Sequence, residues 1–264
     1  MKRIFFLLLC LSLLVLGGCS SEPAVDVNTR AYGFSLALDL DQLPDEILET
    51  TLQDINESSA DGTLTAVLSQ TVGDAMNLYA AGVITVPDGL PEDAMAHLPQ
   101  QVTLSDESGP LTSPNTHVAV CPVEGEENVL AFLFYFGFDR EVFRGQEITL
   151  DIQDCLGSDF SFTWAPTNKG PIRFADPKDE EGKMAGTLNL SAYALNATLW
   201  GSPFESNQEL WSSITLLDEN GAEIPLSKGS LSGSNSTIHL SFQQPMDPSA
   251  VKTVKIGPYT AELP

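Results

Sequence analysis

The chain has 264 residues, with 36 Asp and Glu against 12 Lys and Arg and a formal net charge of −24. Such an excess of carboxylate repels phosphate backbones and anionic headgroups, so no nucleic-acid partner and no basic grip on a membrane surface are expected. The length suits one large or two ordinary domains, and an apolar fraction of 42% with 13 Phe is enough for packed cores, which sets aside wholesale disorder.

Lys2 and Arg3 precede an apolar run, Ile4 to Leu16, interrupted only by Ser12. The run is short of the about 20 apolar residues that span a bilayer and has the form of an export signal. Leu16-Gly17-Gly18-Cys19 closes it with small residues directly before a cysteine, and so resembles the lipobox of bacterial lipoproteins. The resemblance implies a signal peptide at residues 1–18, cleavage after Gly18 and diacylglycerol on Cys19. An ordinary secretory signal with an incidental cysteine is the alternative. At about 0.8 kcal/mol per buried methylene, two acyl chains give a stable anchor. The expected location is extracytoplasmic and lipid-anchored, on the outer face of the cytoplasmic membrane if the cell is Gram-positive.

Residues 19–32 are polar, contain Pro23 and read as a tether. Phe34, Leu36, Leu38 and Leu40 then alternate with polar or small residues, the period of a half-buried strand. Pro44 to Asn56 is the best helix candidate, with acidic residues in its first turn and Ile47, Leu48, Leu52 and Ile55 at helical spacing; an acidic connecting loop is the alternative. From Gly62 onward, short apolar or alternating runs are separated by Gly, Pro, Asp and Asn, which predicts an antiparallel sandwich. Among them Val129 to Phe138 is apolar on both faces, as a central strand would be. Ala165 to Gly182 carries three prolines and the charged run Lys178 to Glu181. The expected organisation is therefore a first sandwich at 33–166, a linker at 167–182 and a second sandwich at 183–264. In the second, Gly186 to Trp200 reads as one strand and the Gly/Ser-rich Ser227 to Ser236 as an exposed hairpin loop.

Once Cys10 leaves with the signal and Cys19 is acylated, Cys121 and Cys155 remain. In an exported protein they are expected to form a disulfide, with two separate buried thiols as the alternative. The chemistry-bearing residues give no catalytic set. His97, His117 and His239 are isolated, and the two in predicted strands fit surface or core positions. Ser249-Ala-Val-Lys252 has the spacing of a serine–lysine nucleophile, yet Pro248 before it and a β-rich run after it read as a turn entering a strand. Carboxylates cluster at Asp39/Asp41, Asp151/Asp154, Asp176 to Glu181 and Asp218/Glu219 and could offer oxygen ligands to Ca²⁺, but a solvated acidic surface is the expectation. No cofactor and no metal are expected. Trp164, Trp200 and Trp211 could stack on sugars or fill a core.

The two halves also resemble each other. Val102-Thr-Leu-Ser-Asp106-Glu-Ser-Gly109 is echoed by Ile214-Thr-Leu-Leu-Asp218-Glu-Asn-Gly221, and Phe136 to Ile152 by Phe242 to Ile256, as tandem domains would be. Ile214 to Leu226 and Phe242 to Gly257 look like the closing motifs of immunoglobulin-like extracytoplasmic domains attached to anti-sigma-factor-like membrane proteins of Gram-positive bacteria. Gly62 to Ile152 is more loosely similar to the preceding domain of those proteins. The resemblance implies two immunoglobulin-like sandwiches in an all-β fold and assigns no active residue. Unlike those regulators, the chain is expected to have no cytoplasmic segment and no spanning helix, so no direct grip on a sigma factor. The expected function is a non-enzymatic, lipid-anchored binding, scaffolding or regulatory protein of the cell envelope, with an envelope protein or glycan as partner. The alternatives are a cell-wall glycan-binding module or weak hydrolase, and a signal sensor acting through a membrane partner.

Overall fold

The computed structural model describes residues 43–264 apart from 100, 124, 202, 203 and 235. The signal peptide, Cys19, the tether and the Phe34 to Leu40 strand lie outside the described residues.

The first unit begins with helix α1 (Asp45–Thr51), which buries Ile47, Leu48 and Thr51. It ends sooner than the Pro44 to Asn56 expectation. The Thr50 and Thr51 hydroxyls bond back to the carbonyls of Ile47 and Leu48, and Leu52 turns extended to pair with Val72. Side-chain bonds of this kind weaken a helix end, and the sheet supplies the competing partner. The strands that follow are β1 (Leu52–Asp61), β2 (Leu64–Gly73), β3 (Asn77–Thr85), β4 (Val102–Asp106), β5 (Gly109–Pro110), β6 (Asn115–Pro122), β7 (Val129–Gly137), β8 (Ile148–Cys155) and β9 (Ser158–Trp164). They form two antiparallel sheets, β1-β2-β3-β7-β6 and β5-β4-β8-β9. Strand β7 lies between β3 and β6 and is buried along its whole length. Its Leu130, Phe132, Phe134 and Phe136 enter the core between the sheets, while Val129, Ala131, Leu133 and Tyr135 enter a second cluster with Ile47 and Leu48 of α1. This is why the sequence reads apolar on both faces.

The second unit comprises β10 (Arg173–Ala175), β11 (Gly186–Leu190), β12 (Ala194–Leu199), α2 (Asn207–Ser213), β13 (Ile214–Leu217), β14 (Glu223–Ile224), β15 (Lys228–Ser234), β16 (Thr237–Phe242), β17 (Thr253–Ile256) and β18 (Tyr259–Glu262). Its sheets are β10-β11-β12-β16-β15 and β14-β13-β17-β18, closed over a core that includes Leu190, Leu195, Leu216, Leu240 and Val254. Each strand of the first unit thus has a counterpart nine strands later in the same sheet position. The fold is all-β and built of antiparallel sheets packed face to face. The echoed sequences fall in register: Val102 pairs with Ile152, and Ile214 with Ile256. The aromatic that corresponds to Phe242 is Phe138 rather than Phe136, since Phe138 N–H bonds to the Met76 carbonyl as Phe242 N–H bonds to that of Tyr193.

Three expectations need correcting. The run Gly186 to Trp200 is two strands, because the Ser191 hydroxyl accepts the amides of Tyr193 and Ala194 and folds the chain into a tight turn. Ser227 to Ser236 is not a loop: β15 pairs with β16 from Lys228 to Ser234, and the Ser230 hydroxyl meets Asn115 and His117 of the first unit. Cys121 and Cys155 are buried free thiols. Cys121 belongs to the cluster on the α1 side of the first sheet and Cys155 to the core on its other side, so the expected disulfide is not formed.

The expected linker 167–182 contains strand β10 (Arg173–Ala175), paired with β11, and is anchored to both units. Asn168 donates to the Thr51 carbonyl and pairs with Thr71, while the Arg173 guanidinium donates to the carbonyls of Pro248, Val251 and Pro264. Among the described residues no helix is long and apolar enough to cross a membrane.

Candidate functional site at the junction of the two units

The residues with the greatest chemical potential converge where the two units meet. At the β2–β3 turn the Asp74 carboxylate accepts the backbone amides of Met76 and Asn77 at 2.7 and 2.9 Å and the Asn77 side-chain amide at 3.1 Å. Asn77 also donates to Ser191 Oγ at 3.3 Å across the junction. Ser191 stands in the β11–β12 turn, at the strand position equivalent to Asp74: Gly73 pairs with Leu78, and Leu190 with Leu195.

The same correspondence recurs at several points of the contact, though not at His117–Ser230, where the equivalent Ser232 hydroxyl has no partner. Tyr135 and His239 occupy equivalent positions on β7 and β16, and their side chains meet at 3.1 Å. Asn115 and Ser230, equivalent on β6 and β15, are hydrogen-bonded at 3.1 Å. Tyr79 OH donates to the Phe242 carbonyl at 3.4 Å, while its counterpart Asn196 donates to the Phe138 carbonyl, also at 3.4 Å. Residue i of one unit therefore contacts j of the other and the equivalents of i and j contact in return, the pattern of an isologous interface. The two units are related by an internal pseudo-two-fold.

Electrostatics follow from burial. Desolvation lifts the Asp74 carboxyl to about 6 against the hydrogen bonds that favour its charged form. Burial pushes His117 and His239 down to about 4 and Tyr79, Tyr135 and Tyr193 far up. Tyr135 donates its proton to Asn77 Oδ1 at 2.8 Å, so the His239 Nε2 proton is donated to the Tyr135 oxygen. His239 Nδ1 is then a buried acceptor with no partner. His117 lies 2.8 Å from Ser230 Oγ. Both histidines and the buried carboxylate are held within the protein's own hydrogen bonds.

The other residues singled out by sequence are scattered. His97 is exposed and pairs with Asp93 at 3.1 Å. Ser249 Oγ donates to Asp247 at 2.7 Å in a 3₁₀ turn that leads into β17. Asp218 accepts the amides of Asn220 and Ala222, both at 2.8 Å, and the Ala222 bond chiefly holds its carboxyl below the usual range. Among the described residues no three His, Cys, Asp or Glu side chains gather as metal ligands. Trp164 is in the first core, Trp211 is partly buried with Lys228 5.7 Å above its ring, and Trp200 is exposed; the indoles form no common platform. Sequence reasoning missed Asp74, Asn77, Tyr79, Tyr135 and Ser191, which carry no motif.

The second unit's half of the junction extends beyond the first unit's cover. There Asp139, Thr187, Asn189, Asn196, Thr198 and Thr237 line a cleft of about 60 Å³.

No family model and no curated protein matches the chain. A solved structure described as the conserved domain protein from Bacillus anthracis is similar at 11% identity, with a TM-score of 0.47, over 80% of this chain and 77% of that one.

Proposed function

We propose that this protein is a lipid-anchored extracytoplasmic binding or scaffolding protein of the cell envelope that performs no catalysis. The observation that carries the reading is the destination of its reactive groups: Asp74, His117 and His239 are bonded into the junction between two sandwiches. A histidine whose pKa burial pushes down to about 4, with Nε2 committed to a tyrosine, is poorly placed to shuttle protons at neutral pH. The export signal and lipobox-like Leu16 to Cys19 supply the location, and the immunoglobulin-like resemblance fits a module that presents surfaces. The partner is another envelope component, either a protein or a glycan, and the exposed Trp200 favours the glycan. Growth with radioactive fatty acid tests the anchor. Label is expected on the wild-type protein and absent from Cys19→Ala; label retained by that variant would overturn it.

A further inference from the structure

The pseudo-two-fold shows where the two units differ. In the first unit the face of sheet β1-β2-β3-β7-β6 beyond the junction carries Val72, Ala81, Val83 and Leu133, packed in one cluster with Leu43, Ile47 and Leu48 at the start of the chain's described part. The equivalent positions in the second unit are Asn189, Thr198, Trp200 and Thr237, read from the pairings of β11 with β12 and of β12 with β16. Among the described residues, a face that is apolar and covered in one copy is polar and open in the other.

Its layout follows from the register. Thr187, Thr198 and Thr237 stand in one row across three strands, and Phe174, Asn189, Asn196 and His239 in the next. Trp200 continues β12 opposite Ala185, whose carbonyl accepts its amide. Alternation along a strand puts Trp200, Thr198 and Asn196 on one side of the sheet. Trp200 is 63% exposed and Phe174 58% exposed, and Asp139 of the first unit walls the inner end. There Asn196, 4% exposed, gives its amide hydrogens to Asn189 Oδ1 and the Phe138 carbonyl, which leaves Oδ1 without a partner. This buried acceptor on a residue that lines the cleft calls for a hydrogen-bond donor from it.

We propose that this face binds a neutral oligosaccharide, a class of partner that deepens, and rests on, the reading of the protein as an envelope binding module. Sugar rings offer an apolar C–H face to an aromatic plane and hydroxyls at their edges, and the site offers aromatics flanking hydroxyl, amide and carboxylate groups. Strand spacing sets Trp200 and Phe174 about 13 Å apart along the strands and about 10 Å across them, so one ring cannot reach both and the ligand is a chain. Asp139 is the one charged side chain lining the cleft, and it disfavours anionic glycans.

The test is titration of the purified full-length protein in detergent with three neutral tetrasaccharides, of β-1,4-linked N-acetylglucosamine, β-1,4-linked glucose and α-1,4-linked glucose, read by tryptophan fluorescence and calorimetry. At least one is expected to bind, with affinity reduced tenfold or more in Trp200→Ala and in Asn189→Ala, both of which alter an open surface, and unchanged in Trp211→Phe. The proposal is overturned if none binds at millimolar concentration or if Trp200→Ala binds as wild type does. Concentration-dependent dimerisation abolished by Trp200→Ala would assign the face to a second copy and overturn it as well. The anchor stands or falls separately on the fatty-acid label, so loss of one reading leaves the other readable.

Discussion

Gly137 and the ionisable residues around it show how single side chains set the junction. A Cβ on Gly137 would lie 2.4 Å from His239 Nε2 and 2.6 Å from the Tyr135 hydroxyl, so the absence of a side chain there is what lets the two units touch. His117 and His239 titrate near 4 in the folded protein, against about 6.5 when unfolded. A depressed histidine contributes stability above pH 6.5 that is lost as pH falls through the folded value. Asp74, raised to about 6, acts in the opposite sense: the folded state binds the extra proton, so stability falls as pH rises from about 4 to about 6. Two histidine protons outweigh one carboxyl proton, and each unbalanced proton is worth about 1.4 kcal/mol per pH unit before solvent screening of the partly exposed His117. Urea denaturation of wild type and of His117→Asn/His239→Gln between pH 4 and 7 is expected to give a stability difference that grows with pH up to about 6.5. A difference flat in pH would show that the histidines do not carry the titration.

At the scale of elements, the two thiols make the sharpest contrast between chain and fold. Cys155 is buried in the inter-sheet core, with desolvation lifting its thiol to about 11, and Cys121 is buried on the far side of the sheet. Thiolate is the reactive form, so a thiol reagent is expected to modify neither in the native protein and both after denaturation without reductant. Two thiols appearing only after reduction would restore the disulfide. Spacing in sequence could not decide this, because it fixes no side of a sheet. Strand β7 was legible, since nine buried residues of one kind leave little choice. Strands β1 and β15 were not: LQDINESSAD and KGSLSGS are strands through pairing with β2 and β16 and through contacts distant in sequence. Helix α2 was legible but unread. Ser206 accepts the Glu209 amide at 3.2 Å and Glu209 takes the Glu205 amide at 2.9 Å, a capping arrangement visible as Ser-x-x-Glu. The candidate site was the least legible, because its Thr, Asn and aromatic residues become a surface only when β10, β11, β12 and β16 are placed side by side.

For the whole molecule, the repeated topology and the reciprocal contacts make the junction resemble a symmetric dimer interface written into one chain. Tyr79, Tyr135 and Tyr193 pack there, with ring centroids 4.6 Å apart for the first two and 5.7 Å for Tyr79 and Tyr193, and Ala192 and Tyr193 of the second unit complete the first unit's outer cluster. Neither unit alone keeps these aromatic and polar groups satisfied, since Asn77, Asn115, Tyr135 and Asn196 each bond across. Unfolding one unit must therefore expose groups of the other, and the described chain is expected to denature in a single cooperative transition whose midpoint agrees between tryptophan fluorescence and circular dichroism. Gly137→Val places branched methyl groups against His239 and Tyr135, where overpacking costs about 1–3 kcal/mol. Because that cost falls on the contact and leaves both inter-sheet cores intact, the variant is expected to unfold in two steps. Two steps already present in wild type would show that the units fold independently and that the junction does not couple them.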